Sequence, residues 1–93
     1  MTKQEIVTRI AQQTGMEKAA VTTVIEAFME NIKEAMIAGD EVFLRGFGSF
    51  IIKQRAEKVA RNISKNTSIV IPAHSVPAFK PAKAFLNAVK EGK

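Results

Sequence analysis

Lys53-Gln54-Arg55-Ala56-Glu57-Lys58-Val59-Ala60-Arg61-Asn62-Ile63-Ser64-Lys65-Asn66-Thr67 is the stretch on which the fold turns. It holds five basic residues, and its apolar residues are too few to bury. The chain on either side is strand-like, Phe50-Ile51-Ile52 before it and Ile69-Val70-Ile71 after it. Such a stretch is either a disordered loop or a long β-hairpin that leaves the body. Turn-forming residues gather from Asn62 to Asn66, near its middle, which favours a hairpin with its tip there. Arm strands of about nine residues, at roughly 3.3 Å per residue, would then reach about 30 Å.

Upstream, Val42-Phe43-Leu44 and Phe50-Ile51-Ile52 read as two short strands around the glycine-bracketed turn Arg45-Gly46-Phe47-Gly48-Ser49. Downstream, Pro72, Pro77 and Pro81 are expected to break up the segment, with His74 in a loop. Pro81 is placed to open a last helix, Ala82 to Lys90, whose buried face is Phe85, Leu86 and Val89. Before residue 40 the period is helical. Thr2 and Glu5 make a capping box, Ile6, Val7, Ile10 and Ala11 form an apolar stripe, and Gly15 supplies a stop, which predicts a helix over about 3–14. Val21, Val24, Ile25, Phe28, Met29, Ile32 and Met36 predict a second helix over about 18–38, ended by Gly39. Glu26, Glu30 and Glu34 line its polar face with Lys33 close by, a solvated side. Two helices joined by Gly15-Met16-Glu17 also fit a helix-turn-helix reader, but a recognition helix would want the opposite charge on that face.

Composition narrows the classes. The 93 residues suit one domain, and a chain so short is marginal as a monomer, which makes a shared core an expectation. Hydrophobic residues make up 46% and charged residues 25%, a folding composition. With no cysteine and His74 the single histidine, no metal site, cofactor or catalytic cluster is expected, and the acids sit mainly on one helix face. No phosphate loop or dinucleotide motif is present, so the chain is read as a non-enzyme. No segment approaches a membrane span and the start lacks a leader pattern, so a cytoplasmic location is expected. Residues 1–44 hold four basic side chains against seven acidic, a net of −3, and residues 45–93 hold ten against two, a net of +8. That split describes a mildly acidic scaffold with a basic working surface attractive to phosphate backbones. Anionic membranes and acidic proteins would attract the same patch.

Gly46-Phe47-Gly48-Ser49-Phe50, Ala60-Arg61-Asn62, Ile71-Pro72-Ala73 and Val76-Pro77-Ala78-Phe79-Lys80-Pro81, in this order and spacing behind two helices, closely resemble the HU/IHF family of bacterial nucleoid proteins. The resemblance covers the whole chain, 1–93, as a single DNA-binding domain: a helical base of about 1–39, sheet and arm of about 40–80, and a C-terminal helix of about 81–91. It implies an α+β fold and an intertwined dimer, in which a helical base lies below three-stranded antiparallel sheets with extended β-hairpin arms. Phe47, Phe50 and Phe79 match the family's shared dimer core; read locally, they are ordinary core aromatics. The implied partner is double-stranded DNA, bent and compacted in the nucleoid through minor-groove arms and with little regard to sequence. The second subunit would be another copy, with a paralogue as the alternative.

On this resemblance Arg55, Lys58, Arg61, Asn62 and Lys65 belong to the arm and Lys53 to its root, while Lys3, Gly46, Lys80 and Lys83 flank the DNA from the body. Each cation has a solubilising role as its alternative, and Gly46 a turn-geometry one. The helix N-termini near Lys3 and Lys83 can offer amides to phosphates. The chain departs from the family at the arm tip, where Arg-Asn-Pro is usual and the proline wedges between base pairs. Here Arg61-Asn62-Ile63 stands instead. Isoleucine is apolar and able to unstack a step, yet lacks the rigid ring, so Ile63 is either the wedge or a β-favouring arm residue. A sequence-preferring IHF-like subunit, a phage-encoded relative and a non-catalytic basic interaction module are the remaining alternatives.

Overall fold

In the computed structural model residues 1–62 and 67–92 are described, Arg61 and Asn62 by their backbone alone. Ile63 and Lys65 lie outside the described residues. The chain divides into two compact units, residues 1–35 and 36–93.

The first unit is helical for local reasons. Helix α1, Lys3–Thr14, opens on the capping box: Thr2 Oγ1 accepts from the Glu5 amide at 3.3 Å, and Glu5 Oε1 accepts from the Thr2 amide at 3.3 Å. It closes on Gly15, left-handed at φ 76°, whose amide donates to the Ala11 carbonyl at 2.9 Å. Helix α2 spans Lys18–Ile37, the last residues of it in the second unit. Among the described residues Val7 and Val21 are the only buried hydrophobic side chains, each 3% accessible. Ile6, Val24, Phe28 and Met29, all on the expected apolar stripes, remain exposed.

In the second unit, β1 (Val42–Leu44), β2 (Gly48–Arg55) and β5 (His74–Pro81) form an antiparallel sheet in the order β1-β2-β5, while β3 (Lys58–Asn62) and β4 (Thr67–Ile71) form a separate hairpin. A turn joins β1 to β2: the Phe47 amide donates to the Leu44 carbonyl at 3.0 Å, and Gly46 in third position is left-handed at φ 80°. β1 stops at Val42, and the Ile52 amide beyond its reach is satisfied by the Glu41 carboxylate at 3.0 Å.

Gly48 faces Pro81, Arg55 faces His74, Lys58 faces Ile71 and Asn62 faces Thr67. The hairpin β3-β4 therefore continues the β2-β5 ladder in unchanged register, past a gap at Ala56-Glu57 and Pro72-Ala73. Proline explains both the gap and the continuity. The Ala82 amide donates to the Phe47 carbonyl at 2.9 Å, so even-numbered residues along β5 present their amides to β2 and odd-numbered ones present theirs to the open edge. Pro77 and Pro81 are odd and sit on an edge strand, where a missing N–H costs nothing. Pro72 is even, falls where the ladder needs a donor, and interrupts it.

Three expectations are corrected accordingly. Pro77 and Pro81 do not break the segment, and His74 begins a strand, with Nδ1 2.9 Å from the Pro72 carbonyl oxygen. The last helix, α3, runs Lys83–Gly92 and is not opened by Pro81, which is held at the end of β5. Ala82 is the pivot: its amide still belongs to the sheet, while its carbonyl accepts the first helical bond, from the Leu86 amide at 2.9 Å. The arm carries the register of β2 and β5 onward from Lys53, with five paired residues in each of β3 and β4 among the described residues. Counting from Arg55, the described ladder reaches about 23 Å by Asn62.

Candidate nucleic-acid interface

Alternation along the strands gives the three-stranded sheet two unlike faces. Phe50 and Phe79 are directly paired and share one face. Their rings lie 5.1 Å apart, Phe79 lies 5.2 Å from Phe47, and Phe47 stacks at 5.5 Å on Phe85 of α3. The three phenylalanines expected in a dimer core are thus in one cluster with Phe85. Phe47 and Phe79 are still 46% and 39% accessible, so the cluster is half a core.

The opposite face is basic. Ser49 pairs with Lys80, and stepping by two along β2 from Ser49 leads through Ile51 to Lys53 and Arg55. Lys53, Arg55 and Lys80 therefore share the face that the aromatic cluster does not use. Around the β1-β2 turn, Gly46, Lys80 and Lys83 line one shallow groove, as three of the expected body positions. The groove adds a cation that sequence reasoning passed over, Arg45. Its only signal was its place in the turn at the start of the basic half.

The arm has no body to pack against. β4 is exposed throughout, and Val59 and Val70, directly paired, are 64% and 59% accessible. Ile69 and Ile71 are exposed on the other side of the hairpin. Lys58 stands at the base of β3, and the backbones of Arg61 and Asn62 pair with Ser68 and Thr67 at the end of the described ladder. An exposed two-stranded ribbon with apolar residues on both faces and cations along it is suited to a groove that is apolar in its walls and anionic at its rims.

Lys3, one of the expected body cations, has an acidic partner. Its ammonium is ion-paired with Glu26 of α2, within the first unit, at 2.5 Å. The hydrogen bond from Lys3, and then its charge, hold the Glu26 carboxyl below its ordinary value. Glu30 is paired too, with Lys33 at 3.1 Å, so the acidic face is solvated but not free of partners.

This geometry coincides with a known family. The family model described as bacterial DNA-binding protein matches residues 1–90. The chain belongs to that family. The DNA-binding protein HU of Geobacillus stearothermophilus is 41% identical over 90 residues, covering 97% of this chain and 100% of the relative. The SPbeta prophage-derived DNA-binding protein HU 2 of Bacillus subtilis is 39% identical, covering 97% of this chain and 98% of the relative. Among solved structures, an Anabaena HU–DNA cocrystal structure matches with a TM-score of 0.92 and 38% identity, over 98% of this chain and 99% of that one. The resemblance read from the glycine-phenylalanine and proline blocks is thereby established as membership, and the fold class as α+β. No described helix is long and apolar enough to cross a membrane.

Proposed function

We propose that this chain is an architectural protein that binds duplex DNA with little regard to sequence, bends it through its arms and acts without catalysing a reaction. The observation that carries the reading is the two-faced sheet, with Lys53, Arg55 and Lys80 on one side and Phe50 and Phe79 on the other, running in register into an exposed arm. The match to an HU–DNA cocrystal structure supports it.

Each feature has a task in this reading. The basic face and the groove around Arg45, Gly46, Lys80 and Lys83 neutralise phosphates, a contact that positions the duplex and carries no base information. Lys53 and Arg55 extend it to the arm, on which Lys58, Arg61, Asn62 and Lys65 follow, and Ile63 at the tip is the wedge that replaces lost stacking. The half-covered aromatic cluster and the exposed helix faces are completed by a second copy of the chain, because two buried valines do not stabilise 93 residues. All of 1–93 then works as one domain of a homodimer in the bacterial nucleoid.

A gel-shift series on linear, nicked and cruciform duplexes at several salt concentrations tests the reading, with sedimentation at low micromolar concentration beside it. Expected are a steep loss of affinity with salt, little dependence on sequence, a preference for distorted duplexes and a dimer. Affinity unchanged between low and physiological salt, or a compact and cooperatively folding monomer, overturns it.

A further inference from the structure

Phe43 is the most exposed of the six phenylalanines, 71% accessible, and the aromatic cluster does not include it. Strand pairing puts it on the other side of the sheet. Phe43 pairs with Ser49, and Ser49 pairs with Lys80, so a ring, a hydroxyl and an ammonium form one row across three strands. The outer two backbones of that row are about 10 Å apart, twice the strand spacing. Arg45 follows in the turn and Lys83 begins α3, and Phe43, Arg45, Ser49, Lys80 and Lys83 line the same groove. No acid lines it.

A bare aromatic face beside three cations asks for a ligand with both a π-face and phosphates. Base pairs within a duplex are stacked and cannot offer their faces, whereas an unpaired nucleotide can. Stacking of such bases on aromatic side chains, with cations tracking the backbone, is how single strands are held without sequence preference. We propose that, where the duplex ends or is gapped, this groove exchanges its duplex phosphates for an unpaired nucleotide, with the base on Phe43 and the flanking phosphates on Arg45, Lys80 and Lys83. The proposal rests on the duplex-binding reading and adds a preference to it. Phe43 also borders a second depression with Ile37, Asp40 and Glu41, which would suit a protein partner, but the cations of its own row favour the nucleotide.

The test compares the parent, Phe43→Ala and Phe43→Trp on a blunt duplex and on the same duplex with a four-thymidine single-stranded end, at one salt concentration, after thermal melts establish that the variants are folded. The parent is expected to prefer the tailed duplex. Phe43→Ala is expected to bind the blunt duplex as the parent does and to lose about tenfold on the tailed one. Phe43→Trp should keep the preference, with indole fluorescence quenched by the tailed duplex and not by the blunt one. A parent without the preference, a Phe43→Ala that retains it, or an unquenched tryptophan overturns the nucleotide site while leaving duplex binding intact. A parent that binds neither DNA overturns the duplex reading itself. A Phe43→Ala that changes the association state but neither affinity assigns the ring to a protein contact and also overturns the site.

Discussion

Gly48→Ala adds one methyl group at the most crowded glycine of the chain. A Cβ there would lie 2.5 Å from Phe79 Cζ, 2.7 Å from Phe79 Cε1 and 2.6 Å from the Lys80 carbonyl oxygen. The carbonyl belongs to a strand in register with β2 and cannot swing away, and the ring is held by Phe47 and Phe50 at 5.2 and 5.1 Å. Overpacking of this kind costs about 1–3 kcal/mol, and a contact with backbone belongs in the upper half of that range. At about 4–8 °C per kcal/mol for a chain of this size, a cost of about 2–3 kcal/mol lowers the melting temperature by roughly 8–24 °C. Gly46 is the internal control. A Cβ there would meet nothing within 4 Å, so Gly46→Ala suffers only from the left-handed φ of 80°, about 1–2 kcal/mol, and Gly46→Asn should recover part of it. Melts of all three variants at one protein concentration check the ranking, since dimer stability varies with concentration. If Gly48→Ala melts within about 2 °C of the parent, or above Gly46→Ala, the close approach of β2 to the Phe79 ring is not what makes glycine necessary.

Glu26→Gln should free the Lys3 ammonium and raise affinity for duplex a few-fold at low salt, with the gain fading at high salt; unchanged titrations in both conditions would mean the ion pair does not compete with phosphate. Because the Glu26 carboxyl is lowered in the folded chain, the pair's small stabilising effect is present above the ordinary carboxylate value and lost as pH falls through the lowered one, which acid melts of the parent against Glu26→Gln would read. Arg55→Ala should flatten the slope of log affinity against log salt by about one, and an unaltered slope would remove Arg55 from the phosphate contacts. Ile63→Ala should keep most affinity for straight duplex but lose the bend seen by energy transfer between dyes at the duplex ends, while Ile63→Pro retains it; an Ile63→Ala complex bent as sharply as the parent's would assign the curvature to the charged body alone.

What could be read from the residues followed the range of the forces involved. The bounds of α1 depend on Thr2, Glu5 and Gly15, all within a turn of the helix ends, and the structure places them where the motif predicts. The groove cation Lys80 was legible through a family block, Lys83 as a body position that the resemblance implies, and the basic arm through its inability to bury itself. Three features were not legible because each depends on a partner distant in sequence. Proline is tolerated at 77 and 81 only because β5 is an edge strand, which no local pattern states. Lys3 meets Glu26 across 23 positions, an acidic partner that no local pattern states. Arg45 joins Lys80 only once β1, β2 and β5 are side by side.

The same alternation links binding to assembly. Cross-strand register decides that Phe50 meets Phe79 and that Ser49 meets Lys80, one residue apart on each strand. A slip of one residue between β2 and β5 would carry cations into the aromatic face and phenyl rings onto the basic one, removing the phosphate contacts and the half-core together. Gly48 resists that slip, because the space left by its missing side chain is filled by the Phe79 ring and the Lys80 carbonyl, and adjoining β2 residues carry side chains too large to take its place. The glycine that admits the ring therefore also sets which face the lysine occupies. Loss of DNA affinity in Gly48→Ala should accordingly track its loss of stability, whereas Lys80→Ala should lower affinity with the melt unchanged.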